Sequence, residues 1–589
     1  MEEKKDIKVN AAVRAKVWKH WKPAFMKSKW SLMGTTLFFS VAMILDLLVK
    51  PVYWKHVFDG LVKHEDIWSY FYIALSVSVV AYVMSRLGDA TMLLAETRII
   101  RNLKSYILKG LLGKSMQFFT DHSSGGLVAK SKRFAAVSEQ VIDECVLSIF
   151  RSFILLAYLL VFTSVIIPDL MPIFVGWTLV FIVVIAIISR YRMKYDLISS
   201  NADSVTTGYV SDTLLSVFTL RIFSSIPRQF MHFEETISEE ERKRRKSWYI
   251  GNAQWAIQSL LVLFLEFTCM YYVLREIQAG TYEVGMAALV QSYIASLTAY
   301  MWGMGRSLIK VRSAFADAYE MAELLDEPQA ESVVDAPMPR ITDRSVMLQN
   351  VSFGYTEKQP ILKNFSFAFE SGRSYGIIGK TGSGKSTIVK LLQRFYEPNA
   401  GVISIGGEDI ANIDKNALRK VIALVPQIPT FPSVTIREII KLGRHDATET
   451  EVIRAAQLAC CDFIWKKPHG LDTIIGERGV KLSGGEAQRL AIAAAVLQDA
   501  QIIIMDEPTS ALDSATEHSI QLAIKNAFKG KTMIVIAHRL STVAVLDEIL
   551  HLEDGALAAH GSHDELLVKS EAYSKMWDLQ TNPQIVAHE

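Results

Sequence analysis

Cysteine is scarce in this chain: Cys145, Cys269, Cys460 and Cys461 are the only four among 589 residues. Their irregular placement, with no CxxC spacing, excludes a disulfide framework and a thiolate metal site, so they read as small buried side chains in a reduced compartment. Charge is scarce too. Asp, Glu, Lys and Arg make up 21% of the residues, and 63 basic against 61 acidic side chains leave a formal net charge of +2. That near-balance argues against nucleic acid as a partner, which calls for a basic domain. The N-terminus, Met1-Glu2-Glu3-Lys4-Lys5-Asp6, lacks the apolar core of a cleavable signal peptide, so the first membrane span is expected to do the targeting.

What the chain has in excess is apolar sequence. Half of its residues are hydrophobic and the mean hydropathy is +0.22. A single core rarely grows past ~250–300 residues, so more than one domain is expected, with one part buried in a bilayer. Residues 13–30 interleave Lys16, Lys19, Lys22, Lys27 and Lys29 with Trp18, Trp21, Phe25 and Trp30, which predicts a helix lying along a membrane surface. Ser31 to Val49 is long and apolar enough to span, closed by Pro51 with Trp54 at the far interface. The same test places five more spans at 68–88, 144–167, 171–190, 250–274 and 284–308, giving six.

Connections after the first, third and fifth spans are short, whereas those after the second and fourth are long, helix-like and basic. Arg98, Arg101, Lys104, Lys109 and Lys114 lie on the first long loop and Arg242 to Lys246 on the second. The positive-inside rule therefore puts both loops and the N-terminus in the cytoplasm, and an even span count returns the C-terminal half to the same side. The spans are expected to continue out of the bilayer as helices. Gly125-Gly126 should interrupt one hairpin after Phe118-Phe119, and the stretch from Gly208 to Ile222 should turn the other. Asp46 and Lys50 are one helical turn apart and are expected to pair. Glu266, well inside the fifth span, must face protein or a water-filled cavity, and is expected to line a central pathway. Proline punctuation between Pro328 and Pro339 marks a linker. The resulting division is 1–325 for an all-α membrane domain with six helices, 326–343 for the linker and 344–589 for a mixed α/β domain.

In that last domain the run Gly379-Lys380-Thr381-Gly382-Ser383-Gly384-Lys385-Ser386 follows a strand-like Ser374–Ile378 and precedes a helix-like Thr387–Leu392. This is a P-loop in its strand–loop–helix setting. Its glycines let successive N–H groups point at phosphate oxygens, and the helix that follows adds its positive N-terminal end. Lys385 is expected to reach the β- and γ-phosphates and Ser386 to offer its hydroxyl to Mg²⁺. Gln427, after the strand Ile422–Val425, has an amide suited to Mg²⁺ or the attacking water. Leu482-Ser483-Gly484-Gly485-Glu486 opens a second helix whose start favours an anion. The strand Gln501–Met505 ends in Asp506, which can hold hydrated Mg²⁺, and Glu507, placed to polarise a water. His538 ends the next strand, where an imidazole can contact the γ-phosphate, and the ring of Tyr355 can stack on adenine.

In order and spacing these elements resemble the ATP-binding cassette (ABC) transporters, specifically exporter-type half-transporters with one membrane domain ahead of one nucleotide-binding domain. The similar positions are the A-loop aromatic Tyr355, Walker A from Gly379 to Thr387, the Q-loop Gln427, Glu477-Arg478-Gly479, the signature from Leu482 to Glu486, Walker B with Glu507, the D-loop Ser510-Ala511-Leu512-Asp513 and the switch His538. Two departures stand out: Pro429 and Pro432 flank Thr430-Phe431 where the family usually shows Leu-Phe and a small residue, and Ala494 replaces a common Arg. The resemblance implies ATP and Mg²⁺ as cofactors and ATP-driven export or flipping of a small amphipathic drug, lipid or peptide by alternating access. It also implies a homodimer in a lipid bilayer, expected to be a bacterial inner membrane, with the nucleotide-binding domain in the cytoplasm. The other reading it allows is an ATP-gated or regulatory protein that does not pump.

Overall fold

A computed structural model of the chain describes residues 11–331, 343–356, 359–476, 482–507, 521, 524, 527–537 and 539–581. These residues form two compact units, one of residues 1–111 with 123–327 and the other of residues 112–122 with 328–589.

The first unit is helical: α1 (Ala11–Lys27), α2 (Lys29–Ile44), α3 (Lys50–Lys63), α4 (Trp68–Leu112), α5 (Met116–Asp121), α6 (Ser124–Asp143), α7 (Arg151–Ile166), α8 (Met171–Leu215), α9 (Val217–Ile222), α10 (Ile226–Gln278) and α11 (Gly285–Asp326). Of these, α5 and its flanks group with the second unit. Among the described residues five continuous helical stretches are long and apolar enough to cross a membrane, at Lys29–Lys63, Trp68–Leu112, Ser124–Ile166, Pro168–Leu215 and Ile226–Gln278. The predicted sixth span falls in α11, where the side chains of residues 302 and 304–306 lie outside the described set. Leu75, Val79, Val183, Leu260 and Phe264 are exposed on these helices, the surface a hydrocarbon solvent wets. Phe174, Trp177, Phe181, Leu265, Tyr293 and Leu297 turn inward as a core.

Three local expectations change. First, Pro51 does not close the first span. It sits in the first turn of α3, after a π-helical stretch Leu45–Val49, and the helix runs on to Lys63. Proline is tolerated there, inside a continuous helix, because the wider π-helical turn before it accommodates the missing N–H. The wide turn leaves the Leu48 carbonyl to accept the Tyr293 hydroxyl at 3.1 Å, and Asp46 within it pairs with Lys50 as expected. Second, α1 does not lay its aromatics at a membrane surface throughout. Val17 and Trp21 are fully buried, with Trp21 packed on Phe134 and Phe315 at ring distances of 5.7 and 5.4 Å, while Trp18 and Trp30 stay exposed. Lys19 holds Asp326 at 2.5 Å. Third, Gly125 and Gly126 belong to the first turn of α6, capped by Ser123. The hairpin is broken instead by the short α5, capped by Ser115. The second long hairpin turns within the expected stretch from Gly208 to Ile222, at Ser216 and α9, after α8 has run on to Leu215.

In the second unit, β1 (Val346–Phe353), β2 (Leu362–Phe369), β4 (Ala400–Ile405) and β5 (Glu408–Asp409) make an antiparallel sheet in the order β2-β1-β4-β5. A six-stranded sheet has β3 (Ser374–Gly379), β6 (Ile422–Val425), β7 (Ile502–Asp506), β8 (Thr532–Ile536), β9 (Glu548–Glu553) and β10 (Ala556–Gly561) in the order β10-β9-β3-β8-β7-β6. From β9 to β6 its strands are parallel. These strands are short and apolar on both faces because helices cover both. The helices are α12 (Lys385–Leu392), α13 (Lys415–Val421), α14 (Ile436–Ile440), α15 (Glu449–Leu458) and α16 (Gly484–Gln498). The core between the sheets gathers Phe365, Phe369, Tyr375, Ile388, Leu391 and Ile504, while α14–α16 close over Ala423, Ile503 and Met505. The helix-rich insertion expected between Gln427 and Leu482 is present as α14 and α15.

Residues 328–331 and the segment around α5 are clasped within this unit. The Gly113 carbonyl accepts N–H bonds from Ala330 and Glu331 at 2.8 and 3.0 Å, and a Cβ at position 113 would lie 1.7 Å from Gln329 Oε1. Glu331 takes a two-pronged bond from the Arg419 guanidinium at 2.7 and 3.1 Å, on α13. Both side chains are mostly buried, at 13% and 24% exposure, so Glu331→Ala and Arg419→Ala should each destabilise by about 1–3 kcal/mol. The double variant should lose no more than the worse single one, because both remove the same pair. Apparent Tm of the full chain in lipid reads this, and strictly additive losses would dissolve the clasp.

Candidate nucleotide-binding site

The loop between β3 and α12 holds a shape that only glycine allows at its key positions. Gly379, Gly382 and Gly384 adopt φ of +149°, +87° and +100°, in the region side chains avoid. A Cβ at Gly379 would also sit 2.3 Å from the Leu552 carbonyl. Gly384 caps α12, whose buried Ile388, Leu391 and Leu392 anchor the loop to the core. Lys380, Thr381 and Gly382 are exposed at the tip, whereas Ser383, Gly384, Lys385 and Thr387 are buried.

Lys385 folds back so that its ammonium donates to the carbonyls of Gly379 at 2.7 Å and Lys380 at 3.0 Å. Burial pushes its pKa down against the opposing pull of Glu507 and Asp506. The Ser386 hydroxyl donates to Asp506 Oδ1 at 3.4 Å. Burial, then the neighbouring Glu507, raises the Asp506 carboxyl above its ordinary range. Gln427 Nε2 donates to Glu507 Oε2 at 2.6 Å, across 80 residues of sequence. Glu507 has a left-handed backbone, φ +48°, held by its N–H on the Ile536 carbonyl at 2.9 Å. Non-glycine residues in that conformation cost about 1–3 kcal/mol and gather at functional sites.

These residues fit a triphosphate with Mg²⁺. Among the described residues the Ser383 hydroxyl is buried without a hydrogen-bond partner, the desolvated Lys385 ammonium belongs to the same loop, and a hydroxyl and two carboxylates converge at Ser386, Asp506 and Glu507. Such a concave set of N–H donors and a cation at a helix start binds anions, and the oxygen ligands suit a hard dication.

Tyr355 lies after β1, 41% exposed, its hydroxyl accepting from Lys390 of α12 at 3.0 Å and its ring 5.1 Å from that of Tyr396. Ser483 begins α16 with a capping box in which its hydroxyl accepts the Glu486 N–H and the Glu486 carboxylate accepts the Ser483 N–H. Ser483, Gly484 and Gly485 make no hydrogen bond to the P-loop among the described residues. His538, the stretch Glu477–Gly479 and the D-loop Ser510–Asp513 lie outside the described residues. Sequence reasoning missed Gln488, whose buried amide donates to the Pro426 carbonyl at 3.3 Å and ties α16 to the residue before Gln427. A lone amide on the apolar face of α16 was the available signal. It also missed Lys390, whose exposed position on α12 gave none.

Family models described as ABC transporter and ABC transporter transmembrane region match residues 362–510 and 33–301. The structure is similar to that of a bacterial Atm1-family ABC exporter with ATP bound, with a TM-score of 0.81, 29% identity and coverage of 94% of this chain and 98% of that one. An uncharacterized ABC transporter ATP-binding protein of Haemophilus influenzae is 30% identical, over 80% of this chain and 78% of the relative. The mitochondrial iron-sulfur clusters transporter ABCB7 of Homo sapiens is 36% identical over 67% of this chain. ATP-binding cassette sub-family B member 6 of Xenopus tropicalis is 31% identical over 90% of it. The chain spans 53% and 64% of the length of these last two proteins.

Proposed function

This chain belongs to the ABC transporter family, and we infer from that premise that it is an ATP-hydrolysing exporter working as a homodimer in a cell membrane. The observation that carries the reading is the convergence of Lys385, Ser386, Gln427, Asp506 and Glu507 around one P-loop. Bound ATP with Mg²⁺ supplies the phosphoryl group whose transfer to water drives the cycle. The backbone from Gly379 to Thr387 and the Lys385 ammonium hold phosphate oxygens. Ser386 and Asp506 would hold the metal with Gln427, and the Tyr355 ring would stack on the base. Glu507 accepts the proton of the attacking water, its carboxylate aimed by Gln427, and His538 acts as the switch residue at the γ-phosphate. A single copy of each motif per chain leaves Ser483, Gly484 and Gly485 to meet the nucleotide of a second copy, which supports the dimer.

The cargo is a small polar or amphipathic molecule, and the names of the relatives favour a metal-related cargo over a plain lipid. ABCB7 is named for iron-sulfur clusters, and a further relative of Caenorhabditis elegans, 32% identical over 69% of this chain, is called heavy metal tolerance factor 1. The membrane half contributes Glu266 on α10, half-buried, whose carboxylate accepts from Gln291 Nε2 of α11 at 2.7 Å. A carboxylate on the spanning α10, held by an amide of α11, supports its placement on the translocation pathway. Glu266→Gln keeps the size and removes the charge. With the purified chain in lipid, cargo-stimulated ATPase across glutathione, glutathione–metal adducts and lipophilic cations should weaken by about tenfold for at least one class, the loss of one charge-assisted bond. Basal hydrolysis should stay within about twofold. Unchanged stimulation across the panel would remove Glu266 from the pathway.

A further inference from the structure

The start of α16 carries an electrostatic contradiction. Its first turn is offered to phosphate, yet its third helical residue is the carboxylate Glu486, an anion at the helix end where another anion is to bind. The capping box gives that carboxylate a structural task, accepting the Ser483 N–H at 2.9 Å. It leaves the charge in place.

The structure supplies the counter-charge from outside the signature. Lys467, 19 residues earlier, places its ammonium 3.1 Å from Glu486 Oε1 and 3.3 Å from Oε2. Both side chains are largely buried, 25% and 17% exposed, so the pair is held rather than left as a screened surface contact. The Phe463 ring braces the arrangement, with the Lys467 ammonium 5.8 Å and the Arg489 guanidinium 5.3 Å from its centroid. Three charged side chains thus meet at the first turns of α16 with a net charge of one positive unit, the sign an incoming phosphate needs.

We propose that Lys467 is a positioning residue for ATP hydrolysis: it neutralises Glu486 and pins it on the Ser483 N–H in the capping box, so that the Ser483 hydroxyl and the Gly484 and Gly485 N–H groups are presented to a nucleotide phosphate. This rests on the reading of the signature turn as a phosphate contact. Without Lys467 the cluster loses its net positive charge and Glu486 loses the ammonium that holds it, so the turn attracts the phosphate less and the carboxylate is free to leave the Ser483 N–H. The P-loop of the same chain, which does not touch Lys467, keeps its own hold on ATP.

The test uses the full chain in lipid nanodiscs as parent, Lys467→Met, Lys467→Arg, Glu486→Gln and the Lys467→Met/Glu486→Gln double variant. Lys467→Met should lower kcat for ATP by about tenfold, with a smaller change in the affinity of the P-loop for a fluorescent ATP analogue. Lys467→Arg should restore most of the rate. The double variant should recover to within about threefold of parent, because Gln caps Ser483 without a charge to compensate. Parent-like turnover of Lys467→Met, or a double variant as slow as the single one, would overturn the proposal. An arm independent of turnover is hydrogen exchange of the 484–487 amides in nucleotide-free protein, expected to quicken in Lys467→Met and to return in the double variant. Unchanged exchange there overturns the positioning role even if ATPase falls. A parent without ATPase activity counts against the transport reading and leaves that arm to judge Lys467.

Discussion

Glu507→Gln is expected to cut steady-state ATP hydrolysis by about 10²–10⁴-fold, the range lost with a general base, while ATP binding stays within a few fold of parent. The side chain stands at the end of β7 on a left-handed residue whose N–H is tied to Ile536, so the backbone that aims it is set by the sheet and not by the carboxylate. Glutamine retains an oxygen for the Gln427 amide, now 2.6 Å from Glu507, and loses only the capacity to take a proton. The phosphate cradle around Lys385 is untouched. Because bound ATP is no longer turned over, the variant should also accumulate a two-chain species with trapped nucleotide, read by native mass measurement in detergent with ATP and Mg²⁺. Turnover above about a tenth of parent would take Glu507 out of the base role. A trapped single chain would rule out the homodimer.

Lys385→Met should have the opposite profile, with binding lost and fold kept. In the nucleotide-free chain the ammonium is buried, bonded to two loop carbonyls and destabilised by desolvation. Replacing it with an apolar side chain of similar length removes a buried charge whose net worth to folding is small or negative. Apparent Tm without nucleotide should therefore fall by no more than about 2 °C. With nucleotide the balance reverses. An ammonium on phosphate oxygens makes charge-assisted bonds of about 1.5–3 kcal/mol each, so two of them amount to about 10²–10⁴-fold in affinity. Equilibrium binding of a fluorescent ATP analogue and ATP-induced thermal stabilisation measure this. A variant that still binds within about threefold would mean the loop amides alone hold the phosphates.

The two variants divide the site into a part that holds and a part that reacts, and the structure explains why they separate. Lys385 is fixed by its own loop, five and six residues from the carbonyls it touches. Glu507 is aimed by Gln427, 80 residues away. Damage to one leaves the other's supports standing.

What the sequence determined by itself were the features whose physics is local. Glycines at 379, 382 and 384 announce backbone angles that only glycine adopts readily, and the structure has those angles. Apolar runs of spanning length announce membrane helices because each segment satisfies its own backbone bonds, and five of the six meet the test among the described residues. Motif order along one chain was enough to reveal the family. Asp46 and Lys50, four residues apart, were legible as a pair because the helix alone brings them together.

Only the tertiary structure decided what depends on two distant segments meeting. Trp21 reads as an interfacial aromatic until Phe134 and Phe315 enclose it. Pro51 reads as a terminator until a π-turn before it, with Tyr293 bonded to its Leu48 carbonyl, carries the helix past. The clasp of Glu331 on Arg419, the Gln427–Glu507 bond and the Lys467–Glu486 pair leave no trace in local composition, because a charged or amide side chain looks the same in sequence whether it faces water or a partner. Side-chain pairing is set by packing of the elements that carry the partners, and that packing is a property of the whole fold rather than of any window of the chain.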